Sequence, residues 1–354
     1  MSHRKFKLTS PLEALRRLME IAEKNIAYEE IPTFNACGRV LAEEIVSNQD
    51  IPPHNGTWLD GYALRSEDTL GASAENPVAL KVVGSMEPGM PPETYRLSKG
   101  EAVKVSTGAF LPLNADAVVR LEEVEIRDGE ILVKREAKPG MNTTRRGEDI
   151  RAGETLYREG FMLRPQDVGL ILGLGKLKVK VYAKPKVAIL SVGSELLEAS
   201  KTNPAANNYA YIAEMLAEEL GAEAKVVGIA PDDPEKIAEM LGEALKESSM
   251  VLTVGGCSVG EKDLVPEAVN MLGQPGVLVH GLLVRPGHPA GFGAVKGKPV
   301  IMLPGHVVSM VSGFYWLVAP VIQVLSGMKK GFMFPTVTAI FEGDEVNPTG
   351  RYLS

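Results

Sequence analysis

The chain has 354 residues, a hydrophobic fraction of 45% and a formal charge of −7. That length suits about two or three domains, the composition is that of a soluble globular protein, and the lack of a basic stripe excludes a sequence-reading nucleic-acid partner. Its two cysteines, Cys37 and Cys257, form no CxxC pair, which excludes a thiolate zinc site and a disulfide framework and fits a reducing, cytoplasmic compartment.

The first eight residues are basic but lead into no apolar run, so no secretory signal is expected. Ser10-Pro11-Leu12-Glu13 has the form of a capping box with proline at the first helical position. Leu12, Leu15, Leu18, Met19 and Ala22 then share one face of a helix running to about Lys24. A second short helix is expected over 34–46. After Ile51-Pro52-Pro53 the chain becomes short apolar runs broken by Gly and Pro, which reads as an all-β module. Asp128-Gly129 between two apolar runs signals a type I′ hairpin. Arg164-Pro165-Gln166-Asp167 opens another helix that can pack back on the N-terminal ones. The expected domains are therefore a discontinuous N-terminal domain over 1–50 and 137–183, and an inserted β domain over 51–136.

Lys184-Pro185-Lys186 marks the next boundary, and beyond it strands and helices alternate. Strands are expected at 187–192, 224–229, 250–254, 277–284 and 300–303. A helical stripe of Ile212, Met215, Leu216 and Leu220 stops at Gly221. This order predicts a parallel-dominated, three-layer α/β domain over 184–330. Right-handed crossovers place the loops after Val192, Ile229 and Val254 on one rim. The segment 307–325 is apolar and long enough to span a bilayer, but it carries Ser309, Ser312, Gly313, Pro320 and Gln323 and reads as a core helix, with no membrane association. From 331 a β pattern resumes and stops without a closing turn, as though a further β domain were cut short at 354.

Three loops of that rim collect acids and glycines. Gly255-Gly256-Cys257-Ser258-Val259-Gly260-Glu261-Lys262-Asp263 joins a buried strand to a helix; its glycines permit sharp turns and its amides can hold an anion. Ser191-Val192-Gly193-Ser194-Glu195 and Asp232-Asp233-Pro234 add carboxylates. Acids beside an anion-binding turn call for a mediating cation, and Mg²⁺ binds one or two carboxylates together with substrate phosphates. Asp233 can equally serve as a helix N-cap. Arg285-Pro286-Gly287-His288-Pro289 offers a donor fork for an oxyanion, and Leu303-Pro304-Gly305-His306 opens a long helix with a free N-terminus. In the β module, Asp60 follows an aromatic platform at Trp58, Ser106-Thr107-Gly108 supplies hydroxyls at a strand end, and Arg145-Arg146-Gly147-Glu148-Asp149 sets two arginines against two acids.

Together the motifs LDGYA (59–63), STGA (106–109), RRGEDI (145–150), GSEL (193–196), DDP (232–234), GGCSVGEKD (255–263), RPGHP (285–289) and LPG (303–305) run in order along essentially the whole chain. In this the chain resembles the molybdopterin molybdenumtransferase family, whose eukaryotic relatives include the gephyrin E domain. The resemblance implies an α/β multidomain protein: an elongated subunit with a helical/β N-terminal domain, an inserted β domain, a three-layer α/β molybdopterin-binding domain and a truncated C-terminal β domain. It implies a cytoplasmic homodimer with a shared active site, and a transferase of molybdenum cofactor biosynthesis. Such an enzyme takes adenylylated molybdopterin, with Mg²⁺, inserts molybdate or tungstate and releases AMP. A molybdopterin adenylyltransferase is an implied partner.

By the resemblance, Glu195, Asp233 and Asp263 hold the pterin phosphate and metal region, with Glu195 and Asp263 as metal ligands. Gly255, Gly256, Ser258, Gly260, Pro286, Gly287, Pro304 and Gly305 shape the cofactor site. Asp60 and Thr107 reach in from the neighbouring subunit, and Arg285 faces the oxyanion where the family usually has lysine. The chain departs from the family at His288, where lysine is usual, at His306, where asparagine is usual, at Asn207-Asn208-Tyr209 and at Ser194. An unperturbed His288 is charged only below about pH 6.5. Two other readings stand beside this one: a paralogue that binds the pterin or a partner protein without turnover, and adenylylation of molybdopterin by the α/β domain, which would leave the N-terminal two-thirds assembly without a purpose.

Overall fold

The computed structural model describes residues 8–257 and 264–328, and the backbone of Tyr352 and Leu353. Ser258, Gly260 and Asp263, and nearly all of the expected C-terminal β domain at 331–354, lie outside the described residues. The chain forms two compact units, Glu44–Tyr157, and a second made of Met1–Glu43 with Arg158–Ser354.

The unit Glu44–Tyr157 is built on a six-stranded sheet in the order Ala117–Arg120, Gly61–Leu64, Glu101–Val105, Val78–Met86, Glu130–Val133, Val124–Arg127. All neighbours are antiparallel except the parallel pair Val78–Met86 and Glu101–Val105. Successive side chains point to opposite faces, so Tyr62 and Leu64 enter one core and Ala63 another. Both faces being covered explains why these strands read as continuous apolar runs. The hairpin turns through Asp128 at φ 46° and Gly129 at φ 84°. Positive φ at both positions is the type I′ geometry that suits the right-handed twist of the strands.

In the other unit, Tyr28–Pro32 pairs antiparallel with Lys178–Tyr182. The helix Pro165–Gly173 is opened by Asp167, whose buried carboxylate accepts from the Arg164 amide at 2.8 Å and from its guanidinium at 2.8 and 3.0 Å. The helix expected over 34–46 does not form. Thr33–Asn35 makes a single 3-10 turn, Gly38 takes φ 76°, and Val40 and Leu41 bridge to Met162 and Val181. Tertiary strand pairing outweighs local helical periodicity there. The helix Pro11–Ala22 is present, but Ser10 caps nothing with its side chain and Leu12 is 51% exposed. Its buried stripe is Ala14, Leu18 and Ala22, which joins the core of the α/β layer.

That layer contains, in chain order, β1 (Lys186–Val192), α1 (Ser194–Thr202), α2 (Asn208–Glu219), β2 (Glu223–Ala230), α3 (Pro234–Glu247), β3 (Met250–Val254), α4 (Leu264–Met271), β4 (Pro275–His280), β5 (Gly291–Val295), β6 (Lys298–Leu303) and α5 (Val307–Leu325). The sheet order is β2-β1-β3-β6-β5-β4. β2, β1, β3 and β6 are parallel, β5 is antiparallel to both neighbours, and β4 therefore again runs with β6. The loops after β1, β2 and β3 thus share one edge, as the crossover rule requires. The order reverses between β1 and β3, where open α/β sheets leave a crevice at the strand carboxyl ends.

β5 was not foreseen. Its glycines weaken the strand signal, and both are needed because a Cβ at Gly291 would sit 2.4 Å from the Val279 carbonyl oxygen and one at Gly293 2.4 Å from that of Gly276. The expected strand at 277–284 ends instead at His280, and Val284–Arg285 pairs separately with Tyr352–Leu353. One sheet face buries Val187, Ile189 and Leu252 against α2, α5 and the N-terminal helix. The opposite face buries Ala188, Leu190 and Val251 against α3 and α4. Each large side chain so buried favours folding by about 1.5–3 kcal/mol before entropy is counted. On α2 the fully buried positions are Ala210, Ala213 and Ala217, while Met215 is 58% exposed, because small residues let the helix approach the sheet closely. α5 is long and apolar enough to cross a membrane by length and composition, yet it is a core helix: Phe314, Leu317, Val318, Val321 and Ile322 are fully buried. Its middle, Phe314–Val318, is wound as π-helix.

Candidate functional site

At the carboxyl edge of β1, β3 and β6 lies a cavity of about 540 Å³. Its floor is Ser191, Val192 and Val254 from the strand ends. Its walls are the Gly255-Gly256-Cys257 turn, the Pro304-Gly305-His306 turn, Glu195 and Leu196 of α1, the segment 206–209, Pro289 and Ser309. The glycines are dictated by crowding. Gly255 has φ 94° and an added Cβ would lie 2.6 Å from the Val192 carbonyl oxygen. Gly256 has φ 68° and its Cβ would meet Val265 at 2.7 Å. Gly305 packs directly on the Gly255 Cα. Three strand-end turns are therefore held backbone to backbone, and only glycine permits it.

Polar groups converge on this cavity. Glu195 is exposed and has no hydrogen-bond or ion-pair partner among the described residues. Its carboxylate folds over Gly193, where a Cβ would fall 2.9 Å from Oε1. Ser194 is engaged with Asp232: the Asp232 amide donates to Ser194 Oγ at 2.9 Å, and the Ser194 amide to Asp232 Oδ2 at 3.2 Å. α5 begins at the cavity, and the first amide to bond back is that of Met310, to the His306 carbonyl at 2.8 Å. The amides of Val307, Val308 and Ser309 have no helical acceptor and favour an anion. His306 is exposed at this N-terminus.

Glu195, Gly255, Gly256, Pro304 and Gly305 are thus brought together. Asp233 is not. Its Oδ1 accepts from the amides of Glu235 at 3.0 Å and Lys236 at 3.1 Å, so its carboxylate is the N-cap of α3. The Lys236 amide first, and after it the Glu235 contacts, hold its pKa below the usual carboxylate value, against desolvation, which raises it. Arg285, Pro286 and Gly287 do not line the cavity. Arg285 is exposed, the Pro286 carbonyl accepts from Ser312 Oγ at 2.9 Å, and Gly287 packs against Ser312 and Ser309 of α5. This loop props α5, and Pro289 alone reaches the cavity wall. Asp60 and Thr107 lie in the other unit, where Asp60 Oδ1 accepts from the Thr107 amide at 2.7 Å and from its Oγ1 at 3.1 Å. The expected Glu195–Asp263 metal pair has one member outside the described residues, and no group of three His, Cys, Asp or Glu side chains suits a metal among the described ones.

Motifs far apart in sequence also meet within Glu44–Tyr157. Gly56 bridges to Phe110, and Gly56–Thr57 pairs with Thr143–Thr144. Arg146 donates to Asp50 Oδ2 at 2.6 Å. The Ala152 amide, then Arg146, holds Asp50 below its ordinary pKa. Arg120 lies over Trp58 at 5.7 Å. The sequence placed Ser191 in a rim loop and marked Asn207-Asn208-Tyr209 as a departure from the family, without giving Ser191, Asn207 or Tyr209 a role in the site whose cavity they line. The available signals were a serine at the end of an otherwise apolar strand and a paired asparagine at a helix start.

Residues 9–175 match the family described as "MoeA N-terminal region (domain I and II)", and residues 188–324 match "Probable molybdopterin binding domain". A molybdopterin molybdenumtransferase of Haemophilus influenzae is 33% identical over 89% of this chain and 77% of its own length. One from Staphylococcus epidermidis is 31% identical over 96% of this chain and 82% of its own. The crystal structure of a molybdopterin biosynthesis MoeA protein from Pyrococcus horikoshii superposes with a TM-score of 0.81 at 37% identity, covering 92% of this chain and 81% of that one. The chain belongs to the molybdopterin molybdenumtransferase family. In this family member the matched molybdopterin-binding region contains every residue that lines the cavity. The matched N-terminal region contains Asp60 and Thr107.

Proposed function

We propose that this protein is a transferase of molybdenum cofactor biosynthesis that inserts molybdate or tungstate into adenylylated molybdopterin with release of AMP. The observation that carries the reading is the convergence, at the β1–β3 switch point, of a free carboxylate, a backbone-only glycine turn and an open helix N-terminus around one cavity. The amides at the start of α5 bind and orient the pterin phosphate; Val192 and Val254 at the strand ends exclude water beneath it. Glu195, a hard oxygen donor with no partner among the described residues, suits Mg²⁺, and it is the described residue that would hold it. When bound, the ion neutralises charge on the phosphoanhydride. A water oxygen adds to that bond and AMP leaves, and the pterin's two thiols displace one molybdate oxygen, which departs as water with their protons. Asp60 and Thr107 complete the site from the second subunit of a cytoplasmic homodimer. Arg285 acts on the oxyanion only if its loop shifts toward the cavity.

The test is equilibrium binding of adenylylated molybdopterin with and without Mg²⁺. Saturable binding that tightens with Mg²⁺ supports the reading; no binding in either condition refutes it. The paralogue reading is favoured by the histidines at 288 and 306, and its signature is binding without AMP release.

A further inference from the structure

We propose that Asn207 is a ligand-binding residue, and that Ser191 positions it to donate its amide hydrogens to oxygen acceptors on the ligand's phosphate. The inference rests on the cavity being the pterin site.

Ser191 ends the apolar run of β1 and is fully buried, and Asn207 is only 6% exposed. Both line the cavity. The Ser191 hydroxyl donates directly to Asn207 Oδ1. That bond fixes the carboxamide plane and commits its oxygen, so the NH₂ is the end left over. The Asn207 nitrogen has no partner among the described residues. The nitrogen opens onto the cavity and is not fully enclosed, and a donor so placed takes its acceptor from whatever fills the cavity.

The identity of the acceptor follows from what surrounds it. The Gly255 amide is committed to the Leu303 carbonyl at 3.0 Å, so the donors facing the cavity are the free amides at the start of α5, and the Glu195 carboxylate faces it as an acceptor. A phosphate oxygen satisfies the Asn207 amide and the α5 amides together, whereas a ring N–H of the pterin finds its acceptor at Glu195 and not at Asn207, whose oxygen is taken by Ser191. Ser191 gives this arrangement a hydroxyl where the strand pattern calls for an apolar side chain: its neighbours on the same face, Val187 and Ile189, pack in the core. A polar residue at that buried position is accounted for by its hold on Asn207.

The test is molybdopterin binding by the full-length protein and by Asn207→Ala, Asn207→Asp, Ser191→Ala and the Ser191→Ala/Asn207→Ala double variant, each checked by thermal melting. Asn207→Ala is expected to weaken binding by roughly 10-fold or more, the size of a lost hydrogen bond to a charged group. Asn207→Asp, which keeps the shape but replaces the donor by an acceptor carrying negative charge, is expected to weaken it further. Ser191→Ala is expected to weaken binding several-fold alone and to add nothing in the Asn207→Ala background, because its effect passes through Asn207. A purely structural role for Ser191 would lower melting temperature equally in both backgrounds without that dependence in affinity. Wild-type binding with unchanged affinity in both Asn207 variants, or tighter binding by Asn207→Asp, overturns the inference alone. Absence of wild-type binding overturns it together with the function proposed above.

Discussion

Replacing Gly255 by alanine tests whether the cavity depends on backbone-to-backbone packing. The residue sits at φ 94°, and the new Cβ would lie 2.6 Å from the Val192 carbonyl oxygen. Positive φ costs an alanine about 1–2 kcal/mol, and forcing a methyl into a packed interior costs about 1–3 kcal/mol. The sum, about 2–5 kcal/mol, corresponds to a fall of about 5–15 °C in melting temperature for a unit of this size. Gly221 provides the control, because it has φ 86° and nothing within 4 Å of its would-be Cβ. Gly221→Ala should therefore show only the conformational part, a few degrees. Thermal unfolding by circular dichroism, with molybdopterin binding measured in parallel, reads both effects. Gly255→Ala should melt clearly below Gly221→Ala and lose affinity, while Gly221→Ala keeps it. Equal melting of the two variants would refute the close-approach argument.

Glu195→Gln removes charge from a side chain with no partner among the described residues; melting temperature should hold within a degree or two while the Mg²⁺-dependent gain in affinity for adenylylated molybdopterin disappears. Asp233→Ala should lower stability through loss of the α3 cap and leave molybdopterin affinity unchanged, since the carboxylate caps a helix and does not line the cavity. Because the folded state holds Asp233 below the ordinary carboxylate pKa of about 3.9, its contribution is present above that pH and lost as pH falls through the lower folded value. The stability gap between wild type and Asp233→Ala should accordingly close in acid, as urea unfolding from pH 7 to pH 2 would show. Thr253→Val should raise stability by about 1 kcal/mol, because the Thr253 hydroxyl is buried with no partner; a lower melting temperature would contradict that.

The α/β layer was legible because its strands are buried on both faces and its helices are bounded by glycine and proline. The rim followed from the crossover rule, which needs only strand order. β5 was not legible, because the glycines demanded by close packing on β4 erase the strand signal. The helix expected over 34–46 failed because its periodicity could not reveal the pairing of Val40 and Leu41 with residues more than a hundred positions away. At the site, glycine turns and Glu195 were readable from local motif chemistry. Asp233 was ambiguous, since the same carboxylate suits a cap or a ligand; its Oδ1 is the cap, accepting from the Glu235 and Lys236 amides. Ser191 and Asn207 lie 16 positions apart and acquire meaning only through the bond between them.

The central claim is that this cavity binds adenylylated molybdopterin productively. The most direct measurement is AMP release from that compound on adding molybdate in the presence of Mg²⁺. The account predicts one AMP for each pterin bound, dependent on molybdate and abolished in Asp263→Asn. Tight binding of the pterin with no AMP released under any metal oxyanion would contradict it.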